Sequence, residues 1–198
     1  LPHHAGLDLT KLRPMTQVLS AFLFLFCSWG VIGCYGSFFL YFRDILLMQH
    51  SASDVAWIGS IQQFLAVLVG ILTSKWVDYG YMYAMCTVGS ILIVLGIMMN
   101  GQGTRYVHIF FSHGVCVGVG TGLIYLPCIT CCSEYHHQKP GVALGLATLG
   151  SSLGSLIFPI MFNKLQPNIG YAWTIRIIGF LVMGLLLLAL LLLRPRSR

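Results

Sequence analysis

Titratable side chains inside apolar runs are the residues of this sequence that could do chemistry. His113 lies in the interval 106–133, which contains no Asp, Glu, Lys or Arg. Because histidine exchanges a proton near neutral pH, and ionisable groups in a membrane often mark proton pathways, His113 is predicted as a proton relay. A neutral histidine bonded to a neighbouring helix is the alternative. Arg176 precedes another apolar run, where it would attract an anion or anchor the chain at the lipid headgroups.

Uncharged polar side chains also stand inside apolar runs. Gln62 and Gln63 follow each other in the interval 55–74, Tyr35 and Ser37 lie in the interval 14–42, and Tyr125 lies in the interval 106–133. Such groups either line a cavity or form hydrogen bonds between helices. Together with Arg176, the residues predicted for a substrate pathway are Tyr35, Ser37, Gln62, Gln63 and Tyr125.

The cysteines and histidines near position 130 imitate a zinc-binding pattern. Cys128, Cys131, Cys132, His136 and His137 have the right ligand types, but the cysteine pair falls in a predicted helix and the histidines follow too closely. No metal or cofactor is therefore predicted. No set of nucleophile, base and orienting residue is recognisable either, so the chain is not expected to be an enzyme.

Composition indicates an integral membrane protein. The 198 residues include 11 basic and 5 acidic side chains, 57% are hydrophobic and the mean hydropathy is +0.84. Only 8% are charged, against about 25% in a soluble domain. This hydrophobicity excludes a disordered chain. Nucleic-acid binding is not expected despite the net charge of +6, because the basic residues stand singly between apolar runs.

Uncharged intervals of about 20 residues predict an all-α protein with six transmembrane helices. The predicted spans are 18–42, 55–74, 82–99, 107–132, 141–162 and 173–193, between a cytoplasmic segment 1–17 and a basic tail 194–198. Basic residues favour the cytoplasmic side. With both termini inside, that side carries Lys11, Arg13, Lys75, Lys139, Arg194, Arg196 and Arg198, against Arg43, Arg105, Lys164 and Arg176 outside.

Glycines recur at short spacing in two of the predicted spans. Lipid gives no hydrophobic reward for helix association, so small residues at intervals of four favour close helix contacts. These glycines are predicted to lie at contacts that slide during a conformational change. They are Gly114, Gly118, Gly145, Gly150 and Gly154.

Five segments share their order and spacing with a known family. They are WGVIGCYGSFF (29–39), DVAWIGSIQQ (54–63), HGVCVGVGTGLIYLP (113–127), GVALGLATLGSSLG (141–154) and GYAWTIRIIGF (170–180). In this order they resemble the N-terminal half of fungal-type monocarboxylate-transporter-like proteins of the major facilitator superfamily. The resemblance implies half of a 12-helix fold, itself an inverted repeat of three plus three helices.

The resemblance also implies a function. It implies secondary-active symport of a small organic anion, a monocarboxylate, by alternating access against a second six-helix bundle. The implied partners are the lipid bilayer, that bundle, the anion and protons, and the implied location is the plasma membrane.

The segment between the second and third spans indicates a gating residue and an alternative function. Asp78 keeps the family's aspartate and is predicted to act in gating, with an exposed helix cap as the alternative. Ser74 replaces the usual glycine, and Tyr81 and Met82 replace the usual basic end. These departures leave open a non-transporting six-helix module or a truncated transporter remnant, which would act, if at all, as a partner subunit.

Overall fold

The described part of the chain folds into helices alone. The computed structural model describes residues 9–103, 105–135 and 140–193, and these contain no strand. Six helical segments are long and apolar enough to cross a membrane, which confirms the predicted six-helix all-α fold. The first to sixth spans are Met15–Leu46, Ala52–Leu72, Met82–Asn100, Tyr106–Cys132, Gly141–Ile169 and Tyr171–Leu192. Residues 1–8 and 194–198, which hold the predicted tail, and Lys139 lie outside the described residues.

Two spans are interrupted helices. The first span contains the α-helices Leu9–Gly33 and Tyr35–Tyr41 and then a π-helical turn, Phe42–Leu46. The fourth contains Tyr106–Ile109, the π-helical turn Phe110–Cys116 and the helix Val117–Tyr135. The other helices are Ala52–Leu72, Ser74–Asp78, Met82–Asn100, Pro140–Ile169 and Tyr171–Leu192. The π-helical turn of the fourth span is notable because it carries His113, and such turns often occur at functional sites.

The second span begins at a capping box. The Ser51 hydroxyl accepts a hydrogen bond from the Asp54 backbone N–H, and the Asp54 carboxylate accepts one from the Ser51 backbone N–H. Two of the N–H groups that a helix start leaves without partners are thereby satisfied. The sixth span instead follows Gly170, whose φ of 79° is accessible to glycine with little strain.

The first and fourth spans form the centre of the bundle. The first packs along the fifth and also meets the fourth and sixth, whereas the fourth packs between the second and third. Glycines allow these approaches. A Cβ atom built on Gly118 would lie 2.7 Å from the carbonyl oxygen of Gln62, and one on Gly120 would lie 2.8 Å from that of Gly89.

Candidate functional site

His113 lies in a closed polar cluster between the third and fourth spans. Its side chain is 1% exposed, and its Nδ1 lies 3.4 Å from the amide nitrogen of Asn100, which is also 1% exposed. Aromatic rings enclose the imidazole: Tyr35 stacks on it at 5.8 Å between ring centroids, and Phe38 meets it edge-on at 5.1 Å. In this conformation, a proton reaches His113 only if the surrounding side chains move.

Tyr35 connects the first span to the second. Its hydroxyl donates a hydrogen bond to the carbonyl oxygen of Val55, and its ring covers Gly59 so closely that a Cβ there would overlap it. Ser37, two residues further, is half-buried. The structure therefore gives Tyr35 a role in helix contact in addition to its predicted place in a substrate pathway.

The two adjacent glutamines lie in opposite environments. Gln62 is fully buried, and neither its amide oxygen nor its amide nitrogen has a hydrogen-bond partner among the described residues. Its own backbone carbonyl faces Gly118 of the fourth span. Gln63 is exposed on the outer side of the same helix.

Replacing Gln62 by leucine is expected to stabilise the bundle. A buried amide without partners costs about 1–3 kcal/mol, and leucine has a similar length without polar atoms. Unfolding of the purified chain in detergent should therefore occur at a higher temperature for Gln62→Leu. Gln63→Leu is the matched control and should change stability by less than about 0.5 kcal/mol. A lower midpoint for Gln62→Leu would show that the amide is satisfied.

An aromatic pair joins the first and fourth spans and was not predicted as a unit. The Trp29 and Tyr125 rings meet edge-on with centroids 5.3 Å apart, and both side chains are half-buried. The indole nitrogen of Trp29 and the hydroxyl of the fully buried Thr121 have no hydrogen-bond partner in the described part of the chain. The sequence indicates Trp29 only as part of the segment 29–39 that resembles the family, and Asn100 was not identified as a candidate residue. The signal for Asn100 was an amide side chain near the end of the uncharged interval 79–104, which also contains Gln102.

Arg176 lies beside the aromatic ring of Trp173. Its guanidinium carbon is 5.1 Å from the ring centroid, its side chain is half-buried, and it makes no ion pair with a described residue. Trp173 itself is 59% exposed. A cation over an indole ring near a helix start suits an interfacial anchor. The guanidinium also remains available to an anion.

The predicted gating glycines fall into three environments. Gly114 and Gly118 face the second span, and a Cβ on Gly114 would lie 3.3 Å from the carbonyl oxygen of Ile58. Gly150 and Gly154 face the first span. Gly145 is exposed, and no described atom lies within 4 Å of the position that a Cβ would take there.

Asp78 and the cysteines are the remaining residues that the sequence singled out. Asp78 ends the short helix Ser74–Asp78, and its side chain lies outside what the structure describes. Among the described residues the seven cysteines form no disulfide, and no three Cys, His, Asp or Glu side chains are arranged to hold a metal. His136 and His137 of the zinc-like pattern lie outside the described residues.

An open cleft of about 600 Å³ lies beside the end of the first span. It is lined by residues 45–50 and by 105–107 at the start of the fourth span. Nearby, Arg43 and Asp44 form an exposed ion pair with a distance of 2.6 Å between nitrogen and oxygen. Such a pair contributes little to stability because water screens it.

Curated fungal proteins match almost the whole chain. The MFS-type transporter dbaD of Emericella nidulans is 38% identical over 182 residues, which is 92% of this chain and 41% of that protein. The MFS-type transporter eupM of Phoma sp is 35% identical over 92% of this chain and 64% of its own length. The alignments support membership of the major facilitator superfamily.

The comparisons also include a protein named for its cargo. The Fujikurins efflux protein of Gibberella fujikuroi is 36% identical over 91% of this chain and 39% of its own length. No family model matches the chain. These relatives are named as transporters, which are not enzymes. The similarity confirms the expectation that the chain is not an enzyme. The chain spans 41% of the length of dbaD and 64% of the length of eupM. Its six helices have the architecture of one half of a major facilitator fold.

Proposed function

We propose that this chain forms one six-helix half of a secondary transporter that moves a small organic solute by alternating access. The alignment of 92% of the chain with a named transporter carries this proposal. Six apolar helices, with the first and fourth at the centre, are the structural support. The chain would rock as one body against a second six-helix bundle. We place both termini in the cytoplasm, as the basic residues favour, and we place the protein in the plasma membrane.

The pathway in this proposal runs along the first and fourth spans. Trp29 and Tyr125 offer half-buried aromatic surface there, together with the polar groups of Ser37 and Gln62. An organic solute is held by apolar and aromatic surface with a few polar groups that orient it. His113 would carry a proton when the rings of Tyr35 and Phe38 move away and expose its imidazole to water.

The fifth span supplies the contact with the second bundle in this proposal. Only 28% of its most apolar 18-residue stretch is buried inside the bundle, against 56% for the corresponding stretches of the first and fourth spans. Its exposed face includes four small residues at helical spacing, Gly141, Gly145, Thr148 and Ser152. A face of small residues lets another helix approach closely in lipid, where helix association depends on packing rather than on the hydrophobic effect.

Two substrate classes follow from different observations. The resemblance of the five sequence segments favours symport of a monocarboxylate with protons. The name of the Fujikurins efflux protein favours export of a larger organic compound. The transcript should first be sequenced past the Arg198 codon, and the complete protein expressed in yeast. Uptake of labelled lactate that collapses with the proton gradient would support the first class, and reduced retention of a hydrophobic dye would support the second.

The rival hypothesis is a six-helix module that does not transport. If the transcript continues with further apolar spans, the chain is half of a longer transporter. If the complete protein inserts correctly, yet neither imports a monocarboxylate nor exports a dye, the transport proposal is wrong. The chain would then act as a partner subunit that packs through its small-residue faces.

Arg176 should distinguish charge attraction from anchoring. If the guanidinium attracts an anionic substrate, Arg176→Gln should reduce uptake by about tenfold, while Arg176→Lys keeps a large part of it because the positive charge remains. Uptake rates in cells with equal surface expression provide the measurement. Equal rates for both variants would show that Arg176 is an anchor with no part in substrate attraction.

A further inference from the structure

We infer that His113 and Asn100 bind one water molecule in a buried cavity between five spans, and that this water completes their hydrogen bonds. The cavity has a volume of about 10 Å³, and all nine of its lining residues are buried. About this volume is what a single water requires when polar groups are present to hold it. The site stands independently of whether the protein transports a solute.

Two unsatisfied polar atoms belong to the side chains that line this cavity. The Nε2 atom of His113 and the Oδ1 atom of Asn100 have no hydrogen-bond partner among the described residues. Both residues are 1% exposed, so neither atom reaches bulk solvent. Buried polar groups left without partners are costly, and internal water is the usual remedy where space allows.

The direct contact between the two side chains determines what the water must do. The Asn100 amide nitrogen is a donor, so at 3.4 Å it presents a proton to His113 Nδ1. A neutral imidazole that accepts at Nδ1 carries its proton on Nε2. The two groups still to be satisfied are then one donor, Nε2–H, and one acceptor, Oδ1. A single water accepts from the first and donates to the second.

The remaining surroundings of the cavity are mostly apolar. Val31, Cys34 and Phe38 come from the first span, Ile97 from the third, Phe158 from the fifth, and Ile175 and Ile178 from the sixth. Tyr171 is a rival partner, because its hydroxyl interacts with the Asn100 side chain yet makes no hydrogen bond of good geometry with a described residue. A test must therefore distinguish a bound water from the Tyr171 hydroxyl as the hydrogen-bond partner of Asn100.

A double-mutant cycle on the full chain in detergent measures the coupling. His113→Leu and Asn100→Leu should each lower the midpoint of thermal unfolding by roughly 2–10 °C, because each leaves the other group unsatisfied. The double variant should recover most of this loss, since no polar group then remains to be satisfied. Additive losses in the double variant would overturn the inference.

Two controls make the cycle specific. Ser90→Ala, combined with His113→Leu, should give additive losses because the Ser90 hydroxyl donates to its own helix at Cys86. Tyr171→Phe should leave the coupling between His113 and Asn100 unchanged. If the coupling disappears in Tyr171→Phe, the tyrosine hydroxyl satisfies Asn100 and the water site is wrong.

Nitrogen NMR of the unmodified protein provides a test that does not depend on the stability of a variant. In protein labelled with ¹⁵N-histidine, the His113 signal is assigned by its loss in His113→Gln. We expect a neutral ring protonated at Nε2, with a cross-peak from that proton to a slowly exchanging water. Absence of a water contact at both ring nitrogens would refute the site.

Discussion

Gly150→Leu should destabilise the six-helix bundle by about 3 kcal/mol, the upper end of the usual cost of overpacking. A Cβ atom on Gly150 would overlap the backbone carbonyl oxygen of Phe22, and one on Gly154 would overlap that of Phe26. A carbonyl oxygen cannot rotate away as a side chain can, so the first and fifth spans would have to separate. For a chain of this length the midpoint of thermal unfolding should fall by roughly 6–12 °C.

Gly145→Leu is the matched control, on the same helix and five residues away. Apart from its own stretch of helix, no described atom lies within 4 Å of a Cβ on Gly145, so the bundle alone should tolerate leucine within about 0.5 kcal/mol. Circular dichroism of both purified variants in detergent measures the difference. Equal midpoints for the two variants would contradict the packing of the fifth span on the first.

The same Gly145→Leu substitution should reduce transport by the complete protein at least tenfold. In the proposed function, the exposed small-residue face of the fifth span meets the second bundle, and a leucine side chain would hold the two bundles apart. Transport per molecule at the cell surface is the quantity to measure. The stability of the six-helix bundle should remain unchanged, which shows that the loss of transport does not come from misfolding.

Gly184 provides the control for this second prediction. It lies in the sixth span, where likewise no described atom beyond its own stretch of helix is within 4 Å of its Cβ position. Its surroundings are exposed side chains such as Phe180, Leu187 and Leu188. These large apolar groups suit lipid contact, so Gly184→Leu should leave transport intact. If both variants lose transport equally, exposure to lipid rather than contact with a second bundle explains the effect.

Most of the architecture follows from where the charges are absent. The spacing of 16 charged residues in 198 leaves six long apolar intervals, and the structure contains six apolar helices in those regions. Hydropathy is a property of a local stretch of chain and needs no knowledge of its neighbours. The number of spans, the membrane environment and the absence of strands among the described residues were therefore predictable.

The environment of individual residues was much less predictable. Gln62 and Gln63 are chemically identical neighbours, yet one is fully buried and the other exposed. Gly145 and Gly150 share one helix, yet only Gly150 contacts the first span. In a helix surrounded by lipid both faces are apolar, so the sequence carries little information about how the helix is rotated.

Pairs of residues distant in the chain depend on that rotation. His113 meets Asn100 across 13 positions, and Trp29 meets Tyr125 across two spans. The sequence alone established a six-span membrane protein with small-residue faces and two histidines, His108 and His113, inside one span. Tertiary packing determined which small faces are buried, which polar atoms lack partners and which side chains enclose His113, because each depends on the orientation of several helices at once.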